Sequence, residues 1–188
     1  MMSEKRNIPD IFGRCFFIFL VSAIIGWLYE EFCDVVVMGT GWYNRGFLWG
    51  PYLPIYGTLS LVIWLLFGRL SKKKKMVGRV NVMPFLIFFL AALVSTIAEL
   101  ATSYLLELVI GHSLWNYSFY RFHFEGRIAI VPSLLFGLLG VFAVYLLIPG
   151  ILKLYDKMPK PLRYVIVYGG FLMMLTDLII RIIGIIRH

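Results

Sequence analysis

Charge is scarce in this sequence. Asp, Glu, Lys and Arg supply 15% of 188 residues, against 61% hydrophobic side chains and a mean hydropathy of +0.86. Soluble domains carry about 25% charged residues, so a water-soluble fold of this length is excluded. Cysteine is scarce too. Cys15 and Cys33 would be separated by about 27 Å of helix at ~1.5 Å per residue, too far to bridge within one chain. No GxxxxGK[ST] phosphate loop occurs, which excludes ATP hydrolysis by that route. The glycines of Gly39 to Gly46 lack the spacing and the strand-helix context of a dinucleotide fingerprint. His112 and His123 do not stand at a metal-ligand spacing, and neither cysteine has a neighbouring histidine that would argue for a nucleophile. No metal or cofactor is therefore expected. The formal charge of +8 comes without a basic and aromatic groove or a nucleic-acid motif, so nucleic acid is not an expected partner. The polar start, Ser3 to Asp10, leads into an apolar run too long for a signal-peptide core and without a small-residue cleavage site, so that run is expected to remain as a helix. Repeats, low-complexity stretches and flexible linkers are also lacking, which predicts one membrane domain over residues 1–188.

What is present is a series of apolar runs near the ~20 residues needed to cross a bilayer. Five read as spanning helices: Ile11 to Tyr29, Pro54 to Leu70, Val82 to Ile110, Ile128 to Leu152, and Leu162 to Ile186. The fold class expected is an all-α polytopic membrane bundle of five helices. A re-entrant or interfacial segment lies between the first two, where Gly50, Pro51 and Pro54 interrupt an apolar stretch. A sixth crossing from Cys33 to Leu53 is the competing count. Basic residues sit in short blocks beside these runs: Lys5, Arg6 and Arg14; Lys72 to Lys75 with Arg79; and Lys153, Lys157, Lys160 and Arg163. Short basic loops face the cytoplasm, so the N-terminus and the second and fourth connections are expected inside. Five crossings then leave the C-terminus outside. The Lys72 to Lys75 run is also placed to touch anionic lipid. Ser22 with Gly26, and Gly137 with Gly140 near Ala143, offer small-residue surfaces for ordinary intramolecular helix packing.

Charge inside or beside hydrocarbon costs several kcal/mol unless paired or hydrated, so its positions carry the functional signal. Glu30 and Glu31 are expected to end the first helix. Asn44 and Arg45 follow in an outer loop, Glu99 and Glu107 lie in the outer half of the third helix, and Arg127 opens the fourth. Together these predict a polar chamber open to the outside. Glu99, Ser103 and Glu107 follow an i, i+4, i+8 course and share one helix face, with Ser95 and Thr96 extending it inward. The competing structural reading is that the carboxylates only pair with Arg45 and Arg127 to hold loops. Aromatics surround the expected chamber, among them Trp27, Trp42, Trp49, Tyr52, Tyr117 and Tyr120, and Tyr56 and Trp115 are candidates to cap a ligand; interfacial belts explain Trp and Tyr equally well. Asp177 and Arg181, four apart on the last helix, are expected to form a structural ion pair.

An ordered series of motifs, Gly26 to Glu31 (GWLYEE), Asn44 to Pro51 (NRGFLWGP), Pro54 to Gly57 (PIYG), Glu99 to Glu107, Trp115 to Ser118 (WNYS) and Gly126 to Ile128 (GRI), resembles the bacterial "putative ABC-transporter type IV" family, also described as putative ABC transporter permeases. The resemblance runs from about Gly26 to Leu139. It departs at Glu125, where the resemblance leads one to expect Asn before Gly126. It implies a multi-pass protein of the bacterial cytoplasmic (inner) membrane and, since no ATPase is encoded here, a separate ATPase subunit as partner. The leading expectation is a permease or substrate-binding membrane subunit handling a small polar or amphipathic solute. Glu30, Glu31, Asn44, Arg45, Tyr56, Glu99, Glu107, Trp115 and Arg127 would be its binding residues. Two other classes compete. One is a membrane-embedded enzyme acting on a lipid or lipid-linked headgroup, with Glu31 or Glu99 as base and Arg45 or Arg127 holding phosphate; the other is a structural or regulatory subunit.

Overall fold

The computed structural model describes residues 8–39, 41–42 and 46–186. Helix α1 (Ile8–Phe32) continues without a break into a π-helical turn, Cys33–Met38, that ends at Gly39, whose φ is 65°. Helices α2 (Pro54–Phe67), α3 (Met83–Ile110), α4 (Ile130–Phe142), α5 (Ile148–Lys157) and α6 (Lys160–Ile186) follow. Another π-helical segment, Ala143–Leu147, joins α4 to α5 into one rod, Ile130–Lys157. Pro149 accounts for that segment: it lacks an N–H for the carbonyl four residues back, and its ring crowds that carbonyl. The helix widens there, and Ile148 N–H donates to Ala143 C=O.

Four of these rods are long and apolar enough to cross a membrane, and Pro54–Phe67 is a shorter fifth. The five helices fall where the apolar runs predict them. Their ends differ in instructive ways. Glu30 and Glu31 fall in the last turn of α1 as expected, and the π turn then carries the chain on through Asp34 and three consecutive valines whose β-branches disfavour α-helix. The described part of the Cys33 to Leu53 interval contains no further helix; Gly46 to Leu53 is irregular. Two small hairpins were also not anticipated: β1 (Met76–Val77) with β2 (Val80–Asn81), and β3 (His123–Phe124) with β4 (Ile128–Ala129).

The chain divides into two compact units, Met1–Thr58 with Gly150–His188, and Leu59–Pro149. In the first, α6 lies along α1, and Leu20, Ala23, Leu48, Tyr52 and Met174 form a buried cluster. Of the irregular segment, Leu48, Tyr52 and Leu53 are buried, while Trp49 and Pro51 are exposed. At the other end of α1, Arg14 binds Asp10 (2.9 Å) and Asp156, while Arg163 donates to the Asp156 and Met158 carbonyls at 2.8 Å. Both guanidiniums lie over the Tyr155 ring. In the second unit, α3 and α4 pack tightly. Lipid chains are as apolar as leucine, so close approach and interhelical hydrogen bonds drive such packing. A Cβ at Gly140 would lie 2.5 Å from the Ala91 Cβ, and one at Gly137 2.9 Å from the Phe88 carbonyl. Thr96 and Ser133 hydroxyls meet at 2.8 Å. The small-residue surface on α4 thus serves packing within the chain.

Candidate functional site

On α3 the buried residues recur as Met83, Ile87, Ala91, Ser95, Glu99 and Ser103, a strict four-residue course along one face. The N-terminal half of that face is apolar and the C-terminal half polar. Glu107 continues the course at the helix end, where it is exposed. Glu99 accepts a hydrogen bond from the Tyr117 hydroxyl at 2.9 Å. Ser103 Oγ accepts from Arg127 at 3.0 Å, and Glu107 is ion-paired with the same guanidinium. The stripe read from helical spacing therefore has a physical partner for each of Glu99, Ser103 and Glu107.

Arg127 is held by the turn between β3 and β4. Arg127 N–H donates to Phe124 C=O at 2.9 Å across Glu125 and Gly126, whose φ values are 52° and 68°. Positive φ at both central residues marks a type I′ turn, which favours Asn-Gly because most side chains crowd the backbone there. At Gly126 even a Cβ would fall 2.6 Å from Asn116 Oδ1. Glu125 tolerates the position with its carboxylate anchored: it accepts from Tyr104 Oη at 2.7 Å and from Arg127 Nε at 3.3 Å. The Arg127 guanidinium also stacks over the Tyr104 ring, 4.2 Å from its centroid. The Trp115 indole N–H donates to the Arg127 carbonyl at 2.9 Å, and Tyr117 N–H to the Gly126 carbonyl at 2.7 Å. The hydrogen bond to Glu107 raises the Arg127 pKa above its ordinary value against the opposing effect of desolvation. The guanidinium consequently keeps its charge throughout the physiological range.

Beside this network opens a cleft of about 490 Å³, lined by Glu107, Ser113, Leu114, Trp115, Asn116, Ser118, Glu125, Gly126 and Arg127. It presents carboxylate acceptors, hydroxyl and amide groups, an indole and one cation, a set suited to a small polar or zwitterionic molecule. Three of the sequence-derived site residues, Glu107, Trp115 and Arg127, line it directly. Glu99 is tied to the same loop through Tyr117.

Glu30, Glu31 and Tyr56 belong to the other unit. Tyr56 donates its hydroxyl to Glu30 and lies edge-on to Tyr29. Glu31 is 4% exposed, and its Oε2 is buried without a hydrogen-bond partner among the described residues. Asn44 and Arg45 lie outside the described residues. Asp177 does not pair with Arg181 among the described residues. It accepts instead from the backbone N–H of Trp49 (3.1 Å) and Gly50 (3.0 Å) and from Tyr52 Oη (2.6 Å), while Arg181 lies over the Phe47 ring. Asp177 is thus the anchor of the irregular segment. Tyr104 and Asp34 were missed by sequence reasoning. Asp34 is 1% exposed, and a carboxylate inside an apolar run was signal enough to find it. Tyr104 has no comparable signal, being one aromatic among many.

A family model described as "Putative ABC-transporter type IV" matches residues 17–182. No curated protein and no solved structure matches the chain. The family match and the apolar helices together make this a transporter-like, multi-pass membrane protein.

Proposed function

The chain belongs to the "Putative ABC-transporter type IV" family, and from that premise we propose that it is a membrane permease or substrate-binding membrane subunit handling a small polar or amphipathic solute. The observation that carries this reading is the cleft formed by Glu107, Glu125, Arg127 and Trp115, a concentration of ionisable and hydrogen-bonding groups at the polar end of helix α3. Such groups are costly in a membrane protein and mark solute pathways. The distribution of the basic blocks supports a reading in which the chain sits in a bacterial inner membrane with its N-terminus in the cytoplasm and the cleft open to the outer side. Glu30, Glu31, Arg45 and Tyr56 are further candidate binding groups, and surrounding lipid is a partner of every helix. The family description supports a separate ATPase subunit as the energy source in this reading.

One observation favours a second reading. Arg127 already engages Glu107, Glu125, Ser103 and Tyr104, as a purely structural latch would. Purification from the native membrane separates the two. The transport reading expects an ATPase to copurify and its hydrolysis to rise saturably with one solute, with the response lost in Arg127→Ala and Glu107→Gln. A chain that purifies alone, with charge-swapped Arg127→Glu and Glu107→Arg retaining full cellular function, supports the latch.

A further inference from the structure

The α2–α3 connection concentrates positive charge without a counterion. Arg69, Lys72, Lys73, Lys74, Lys75 and Arg79 are all exposed, and among the described residues none forms an ion pair. No Asp or Glu occurs in the sequence between Asp34 and Glu99. The same connection folds into the β1–β2 hairpin, with Val77 opposite Val80 across the two-residue turn Gly78-Arg79. Directly opposed residues project from the same face of a ribbon. Val77 and Val80 are 61% and 55% exposed, and Met76 is 56% exposed. A short ribbon with apolar tips, wrapped in cations and leashed between two apolar helices, matches neither a solvated loop nor a protein core.

We propose that this hairpin is an anchor for anionic phospholipid, its lysines and Arg79 binding headgroup phosphates while Val77 and Val80 dip into the headgroup and acyl boundary. Charge complementarity selects this occupant: clusters of four to eight basic residues beside a membrane helix attract acidic lipid. An apolar contact adjoining such a cluster supplies the second signal that stable interfacial binding needs. The site is independent of the cleft and stands whether or not the chain transports a solute.

The test uses the full chain in nanodiscs of phosphatidylcholine alone or mixed with phosphatidylglycerol. An environment-sensitive fluorophore is placed at Val77→Cys, with Cys15→Ser and Cys33→Ser removing other labelling sites. The expected result is a blue-shifted probe, quenched by headgroup-labelled lipid, in phosphatidylglycerol discs only. High salt reverses it, and so does combined replacement of Lys72 to Lys75 by Gln. Replacing Lys153, Lys157 and Lys160 by Gln leaves the signal in place. Native mass spectrometry of the unmutated chain, released from mixed discs, is expected to retain phosphatidylglycerol over phosphatidylcholine by at least about fivefold, the weight of one basic residue at a membrane surface. A water-exposed probe in both discs, or equal immersion in both, overturns the proposal. So does a shift that appears only when a soluble protein is added, which would assign the hairpin to a protein partner.

Discussion

At Glu125 the backbone and the side chain pull in opposite directions. The left-handed conformation costs a non-glycine residue about 1 kcal/mol or more, whereas Asn adopts it readily. The carboxylate meanwhile binds Tyr104 and Arg127. Glu125→Ala loses the contacts and keeps the strain; Glu125→Asn loses the contacts and relieves the strain. Thermal unfolding in detergent is therefore expected to rank Glu125→Asn above Glu125→Ala by about 1 kcal/mol, and equal melting would show that backbone strain is not stored there. Arg127 carries a different expectation. Its pKa is raised, so the protonated form contributes its interactions at every pH below the ordinary guanidinium value and loses them only above it. Raising the pH from about 7 to 9 should leave the Arg127 contacts intact, whereas Arg127→Lys, which cannot form the same fork, should lower both thermal stability and solute response. Loss of the contacts over that pH range, followed by amide exchange in the β3–β4 turn, would contradict the assignment. The polar residues of the α3 stripe were legible because a fixed helical period puts Glu99, Ser103 and Glu107 on one face. The tyrosine that meets Glu99 was less so: Tyr117 is distant from it in sequence, and no local pattern distinguishes a tyrosine that meets a carboxylate from one at an interface.

Among the elements, the irregular segment from Gly46 to Leu53 and its anchor on α6 are the most revealing pair. Three donors converge on Asp177, two of them backbone N–H groups. Hydrogen bonds to a charged acceptor are worth about 1.5 to 3 kcal/mol each, and burying an unmet donor costs a similar amount. Asp177→Ala is expected to destabilise the first unit by about 3 kcal/mol and to speed exchange of the Trp49 and Gly50 amides selectively. Unchanged exchange would remove the anchor from this account. Sequence spacing suggested Arg181 as the partner of Asp177, since i, i+4 pairs are the local option. The tertiary fold instead offers backbone donors, which no pattern of side chains announces. The α3–α4 packing was readable in advance because glycines one turn apart in an apolar run have few other uses. Gly140→Ala, pressed against Ala91, should cost about 1 to 3 kcal/mol, measurable as a lower melting temperature of the purified protein.

For the whole molecule, the topology proposed from the basic blocks has five helices alternating across the bilayer and the two termini on opposite sides. The basic blocks predict reporter fusions that are active in the cytoplasm at the N-terminus and outside at the C-terminus; a C-terminus found inside would require a different path through the membrane. Helix number and type followed from hydropathy alone because the bilayer imposes length and backbone pairing on every span. The π turns and the two hairpins did not, because they depend on Pro149, on Gly39 and on tight turns whose outcome is set by neighbouring chain. On the proposed function, the cleft bounded by Glu107, Glu125 and Arg127 holds a solute. Its most direct test is native mass spectrometry of the protein released gently from its own membrane, with metabolite and lipid analysis of what remains bound. A discrete small polar or amphipathic molecule, retained by the wild type and lost from Arg127→Ala and Glu107→Gln variants that still fold, is the expected result; bulk lipid alone, retained equally by all three proteins, would contradict it.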